Sequence, residues 1–159
     1  MRRHYLELFG FDYWATLKLL DLCDPHAPYR MRMWFSTLVL ERELWITRIV
    51  SGPFEQDMKT VLTWDEIRHK LAVTQKSFLD FLGQLDNRDF QQLLEWSPVS
   101  GNEAYSLKDI VSFLMTQGNL VRGRMLEALE REGAVPPDIS FLTYARNMPA
   151  PVIQWRFGQ

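Results

Sequence analysis

The sequence predicts an all-α protein: a bundle of four long helices, with a long connection between the third and fourth and a short helix near the C-terminus. Three observations carry that reading. Apolar residues recur at spacings of three and four over four long stretches, the pattern of helices that each bury one face. Clusters with turn chemistry separate those stretches, at Asp24-Pro25-His26-Ala27-Pro28, Ser51-Gly52-Pro53, Ser97-Pro98-Val99-Ser100-Gly101-Asn102, Gly133-Ala134-Val135-Pro136-Pro137 and Pro149-Ala150-Pro151. The chain has 159 residues, 47% of them apolar and 13% aromatic, enough for one domain over residues 1–159 with a core that needs neither disulfide nor metal.

Each element has its own signals. Helix 1 is expected from about Tyr5 to Cys23. Helix 2 is expected from about Arg30 to Val50, burying Met31, Trp34, Leu38, Trp45 and Ile49. Helix 3 begins at Trp64 behind Thr63 as N-cap, with Asp65 and Glu66 in its first turn, and ends near Leu85; its inner face carries Ile67, Leu71, Phe78, Phe81 and Leu85. Between helices 3 and 4, Phe90 to Trp96 reads either as a short strand or, over Asp89 to Leu93, as a helical turn. Helix 4 starts after Ser106, with Asp109 in the usual capping-box position, and stops at Gly133. Asp138 is expected to cap a short fifth helix through about Ala145. Short links after helices 1 and 2 favour antiparallel neighbours, and the connection of about 20 residues after helix 3 leaves room for a crossover.

Charge and composition exclude several classes of function. Eighteen Lys and Arg against twenty Asp and Glu give a net charge of −2, so nucleic acid meets no global basic footprint. The basic pair Arg2-Arg3 is followed by Glu7, Asp12 and Lys18, so no apolar signal or membrane-spanning run develops, and a cytoplasmic protein is expected. Cys23 is the lone cysteine and reads as a small buried hydrophobe. His4, His26 and His69 share no i, i+4 spacing, so they form no helical metal clip; Asp21, Asp24 and His26 read as capping and loop residues. Arg30, Arg32, Arg42, Arg48, Arg122, Arg124 and Arg131 are interleaved with Glu41, Glu43, Glu127, Glu130 and Glu132 and read as solvated ion pairs. Tyr13, Trp14, Trp34 and Trp45 read as core or dimer packing.

Helix 4 holds the most informative residue. Gln117 falls on the stripe Ile110, Phe113, Leu114, Val121, Met125 and Ala128, which points a large amide inward. An unpaired buried amide costs about 1–3 kcal/mol, so Gln117 needs a partner, a water or a ligand.

The segments Leu8-Phe9-Gly10-Phe11-Asp12-Tyr13-Trp14-Ala15 and Leu38-Val39-Leu40-Glu41-Arg42-Glu43-Leu44-Trp45-Ile46-Thr47-Arg48-Ile49 resemble the DinB superfamily. Val121-Arg122-Gly123-Arg124-Met125, with the exit through Gly133 and Pro136-Pro137-Asp138, is similar to that family's His-Arg-Gly-Gln-Ile segment, and Gly101 fits its glycine turn before helix 4. The resemblance runs from about Tyr5 to Tyr144. It implies a four-helix bundle, commonly dimeric, with a divalent metal held by one histidine on helix 2 and two, four residues apart, on helix 4. Those places fall on Thr37, Gln117 and Val121, and none is histidine. Val121 has no donor atom, Thr37 is a poor neutral ligand, and the Gln117 amide oxygen suits hard cations better than zinc.

No metal and no cofactor are therefore expected. Glu41, one turn beyond Thr37, either enters the same volume beside Gln117, Arg122 or Arg124, or lies at the boundary with its carboxylate in solvent. The resulting expectation is a homodimeric scaffold that binds a small molecule or a protein in a pocket at Thr37, Glu41, Gln117 and Val121. The alternative is a divergent enzyme related to the family's metal-dependent thiol transferases, isomerases and hydrolases. Apolar residues at Val152, Ile153, Trp155 and Phe157 add a physical reason to expect a dimer.

Overall fold

The computed structural model describes residues 2–23, 27–50, 52–96 and 103–147. The protein is all-α apart from one hairpin: α1 (Arg2–Cys23), α2 (Tyr29–Val50), α3 (Trp64–Gln84), a 3-10 turn (Asp89–Gln91), β1 (Leu93–Trp96), β2 (Glu103–Ser106), α4 (Leu107–Arg131) and α5 (Phe141–Asn147). Both readings of the stretch before helix 4 are thus realised, one after the other. The strands pair antiparallel with Leu93 opposite Ser106 and Leu94 opposite Tyr105.

Local chemistry explains the starts and stops. Thr63 closes a full capping box on α3: Glu66 N donates to Thr63 Oγ1, and the Glu66 carboxylate accepts from Thr63 N at 2.7 Å. Those bonds to Thr63 hold the exposed Glu66 carboxyl below its ordinary range. Ser106 caps α4 by accepting from Asp109 N, but its hydroxyl, rather than its backbone N–H, donates to the Asp109 carboxylate, because the Asp side chain is one methylene shorter than Glu. Gly133 takes φ +81° just beyond α4, a conformation open to glycine. For α5 the expected cap moves: Thr143 N donates to Ser140 Oγ, while Asp138 accepts from Ser140 N and the Thr143 hydroxyl.

The long helices run up, down, down, up. Tyr5 and Phe9 of α1 share one apolar cluster with Ile46 of α2, Phe78 and Leu82 of α3, and Leu107 to Met115 of α4. Leu19 and Leu20 share the other with Met31, Phe35, Ile67, Leu71, Val121, Met125 and Leu129. Accordingly α1 and α4 run parallel, α2 and α3 run parallel, and each pair is antiparallel to the other. α1 packs on α3 and α4, and α2 packs on the same two helices, so α1 and α2 face each other across the bundle diagonal.

This arrangement corrects the expected connectivity. The crossover lies between α2 and α3, not between α3 and α4. Residues 52–63 can reach about 40 Å when extended, against about 32 Å for the 21-residue α3. Phe54, Met58 and Leu62 pack against the upper cluster, and Leu62 N donates to Ser36 Oγ at 2.9 Å. Apolar side chains along the connector make running up the bundle favourable.

The expected apolar faces are largely the buried ones, with corrections at single positions. On α4 the expected Ile110, Leu114, Val121, Met125 and Ala128 are buried, and Val111, Met115, Gly118, Arg122 and Leu129 join them. Phe113 is 40% exposed. On α2 the expected Met31 and Leu38 are buried together with Phe35, Val39, Leu40, Arg42 and Ile46, while Trp34, Trp45 and Ile49 stay at the boundary. Indole rings are large enough to reach a core from a boundary position, which is why Trp34 and Trp45 fit an apolar stripe without being fully buried.

A candidate ligand groove above a buried polar layer

The α2–α4 face is set by its aromatic residues. The Trp45 ring stands 6.1 Å from Tyr105 at 86° and 6.3 Å from Phe113 at 65°, both edge-on. With Asp109 and Ile110 these three rings line a cleft of about 410 Å³. Since α2 and α4 are antiparallel, one turn back from Trp45 corresponds to one turn forward from Phe113. Glu41 and Thr37 follow one and two turns back from Trp45 on α2, and Gln117 and Val121 one and two turns on from Phe113 on α4.

The four sequence-predicted residues differ in exposure. Val121 is buried in the upper apolar cluster. Thr37 is half-buried, and its hydroxyl donates back to Met33 O at 3.1 Å. Gln117 is half-buried at the edge of the face rather than at its centre, because the neighbouring Gly118 occupies the central position. Glu41 is half-buried too, and burial pushes its carboxyl above the ordinary range.

Beneath this face lies a polar layer that sequence patterning missed. Asp12 of α1, Arg42 of α2, Gln75 of α3 and Arg122 of α4 are all buried. Asp12 accepts from Arg42 through one carboxylate oxygen and from Arg122 through the other. Arg42 also donates to Gln75 Oε1 at 2.6 Å, and Gln75 Nε2 donates to Phe9 O at 3.3 Å. Arg122 donates to Thr16 Oγ1 at 3.1 Å and to Asn119 Oδ1 at 2.7 Å. The guanidiniums sit over the Phe9 and Phe11 rings, 5.5 and 5.7 Å from the centroids.

The reading of Arg42 and Arg122 as solvated residues is therefore corrected. Each is only 2% exposed. Burial pulls the Arg42 guanidinium below its ordinary range, Asp12 opposes that, and Arg122 adds to it. The layer holds two cations and one anion, with Arg42 Nε unpartnered among the described residues. Its signal in the sequence was Asp12, a charged residue on the apolar face of helix 1. By contrast Arg131 does pair with Glu127 at the surface, at 2.6 Å.

A second cleft, of about 530 Å³, lies where α5 meets α1 and α4, among Phe11, Arg122, Leu126, Asp138, Ile139 and Phe141. Its cation is already committed to Asp12, Thr16 and Asn119. Cys23 is buried, and desolvation followed by the Glu132 charge pushes its thiol up to about 11, which leaves almost no thiolate at neutral pH. His4 and His69 are exposed. Asp24, His26, Gly101 and residues 149–159 lie outside the described residues. Among those described, no three His, Cys, Asp or Glu side chains converge as metal ligands, and no helix is long and apolar enough to cross a membrane.

Comparison with known proteins adds no relative: no family model matches the chain, and neither curated proteins nor solved structures give a match.

Proposed function

We propose that this protein is a DinB-like bundle whose metal site has been replaced, and that its α2–α4 groove binds a small molecule. The supporting observation is the aromatic cleft of Trp45, Tyr105 and Phe113, with Glu41 one turn before Trp45 on α2 and Gln117 one turn beyond Phe113 on α4. Its volume of about 410 Å³ falls in the range of small-molecule sites. Apolar walls supply affinity, and the Glu41 carboxyl and Gln117 amide supply orientation. The polar layer supports the groove by pinning all four helices, which fixes the spacing of α2 and α4.

A ligand-observed NMR screen of a fragment library tests the reading. Fragments should bind the wild-type protein and lose binding in Trp45→Ala and in Glu41→Ala. Fragment binding that ignores both variants would overturn it. Elemental analysis of protein purified without chelator should find no stoichiometric zinc, nickel or iron, since Thr37, Gln117 and Val121 supply no imidazole.

One observation favours the alternative, a divergent transferase, isomerase or hydrolase. The Glu41 carboxyl, raised by burial beside a cleft, has the character of a general base or acid. A single carboxylate does not make an acid and base pair, so ligand binding is the reading preferred here.

A further inference from the structure

We propose that the α2–α4 cleft recognises a quaternary or methylated ammonium group, held by Trp45, Tyr105 and Phe113 as an aromatic box with the Asp109 carboxylate at its rim. The proposal rests on the groove being a ligand site and names the chemistry it selects.

The walls are three rings of three different kinds, one from α2, one from β2 and one from α4, with Trp45 set edge-on to each of the other two. The Trp45 centroid is 6.1 Å from Tyr105 and 6.3 Å from Phe113, with interplanar angles of 86° and 65°. Tyr105 and Phe113 remain about two-fifths exposed, at 41% and 40%, around an open volume of about 410 Å³. Ring faces carry negative quadrupole density, so a space bounded by several of them favours a cation, above all one with a low hydration cost. A methylated ammonium fits because its charge is spread over methyl groups that tolerate an apolar wall.

The charges around the box agree. Asp109 lines the cleft, and its carboxylate is fixed by the Ser106 hydroxyl, so a negative charge stands at the rim in a set place. Glu41 lies one turn before Trp45 on the same face of α2. The Trp45 ring already engages a cation of the chain itself, the Arg48 guanidinium, 5.2 Å from its centroid. That contact shows its π surface turned toward charge.

Choline and its neutral isostere 3,3-dimethyl-1-butanol separate cation recognition from simple apolar fit, because they share shape and differ in charge. By isothermal calorimetry on the whole protein, choline should bind about fivefold or more tightly than the alcohol. Trp45→Leu should remove the preference, Asp109→Asn should reduce it, and Tyr105→Leu on the hairpin provides a second wall variant should Trp45→Leu fail to fold by circular dichroism. Equal binding of the two probes would overturn the ammonium assignment and leave the groove as a general ligand site. Binding of neither probe would also overturn it, and the fragment screen then decides independently whether the groove binds anything. A choline preference unchanged in both Trp45→Leu and Tyr105→Leu would place the cation elsewhere and sink the proposal.

Discussion

Gly118 on α4 stands so close to Asp12 on α1 that a Cβ added at Gly118 would lie 2.5 Å from the Asp12 carboxylate oxygen Oδ1 and 3.1 Å from Arg122 Nη1. The missing side chain is what lets a carboxylate from one helix reach guanidiniums from two others. Gly118→Ala should therefore cost about 1–3 kcal/mol by overpacking. Gly123, on the same helix with open space around its Cα, is the control: Gly123→Ala should gain about 0.5–1 kcal/mol from helix propensity. Urea denaturation of both variants checks the pair, and a Gly118→Ala protein as stable as wild type would mean that Asp12 does not approach α4 this closely.

Asp12 is the single anion between two buried guanidiniums. Asp12→Ala leaves both cations without their counter-charge and should destabilise the fold by about 3–5 kcal/mol. Replacing Asp12, Arg42 and Arg122 together with Leu, Met and Met should cost much less, because apolar residues of similar volume leave no stranded charge. Equilibrium unfolding of the single and triple variants distinguishes the two outcomes.

Glu41 gives a pH-dependent prediction. Its carboxyl is raised by burial in the folded protein, so folding favours the protonated form. The contribution is complete below the ordinary carboxylate range and is lost as pH rises through the raised value. Glu41→Gln should thus melt above wild type at pH 7 to 8, and the gain should vanish near pH 4. A melting-temperature difference that is the same at both pH values would contradict the burial of Glu41.

The three positions at which the resemblance implies metal ligands allow a metal-site test. The resemblance to the DinB superfamily implies that Thr37 faces Gln117 and Val121, so the triple change Thr37→His, Gln117→His and Val121→His should create micromolar zinc binding. Zinc should then raise the melting temperature, since a hundredfold excess over the dissociation constant adds about 2.7 kcal/mol. A folded triple variant with no more zinc binding than wild type in calorimetry would show that the three positions do not converge.

Self-association is the remaining prediction. Phe141 and Leu142 are exposed on α5, at 40% and 72%, and Val152, Ile153, Trp155 and Phe157 add apolar residues about ten positions further along the chain. Burying this region between two copies should give a light-scattering mass near twice 18.8 kDa at micromolar concentration. A mass of one chain would leave the region to pack within its own molecule.

Periodicity, caps and breakers determined the helices, because those signals are local. Thr63 with Asp65 and Glu66, Ser106 with Asp109, and Gly133 each mark an end through bonds made within a few residues. The cleft itself was not legible, because its rings come from α2, β2 and α4 and none of them is Thr37, Glu41, Gln117 or Val121. The direction of each helix and the pairing across the bundle were decided by the tertiary structure. Nothing local distinguishes a connector that turns back from one that climbs the bundle with Phe54, Met58 and Leu62 against it. Nor does local sequence separate an arginine in solvent from one that meets Asp12: Arg42 and Arg122 lie 30 and 110 residues from it along the chain. The buried layer exists only because four helices bring those side chains to one level, where a carboxylate, a glycine and two guanidiniums satisfy one another away from water.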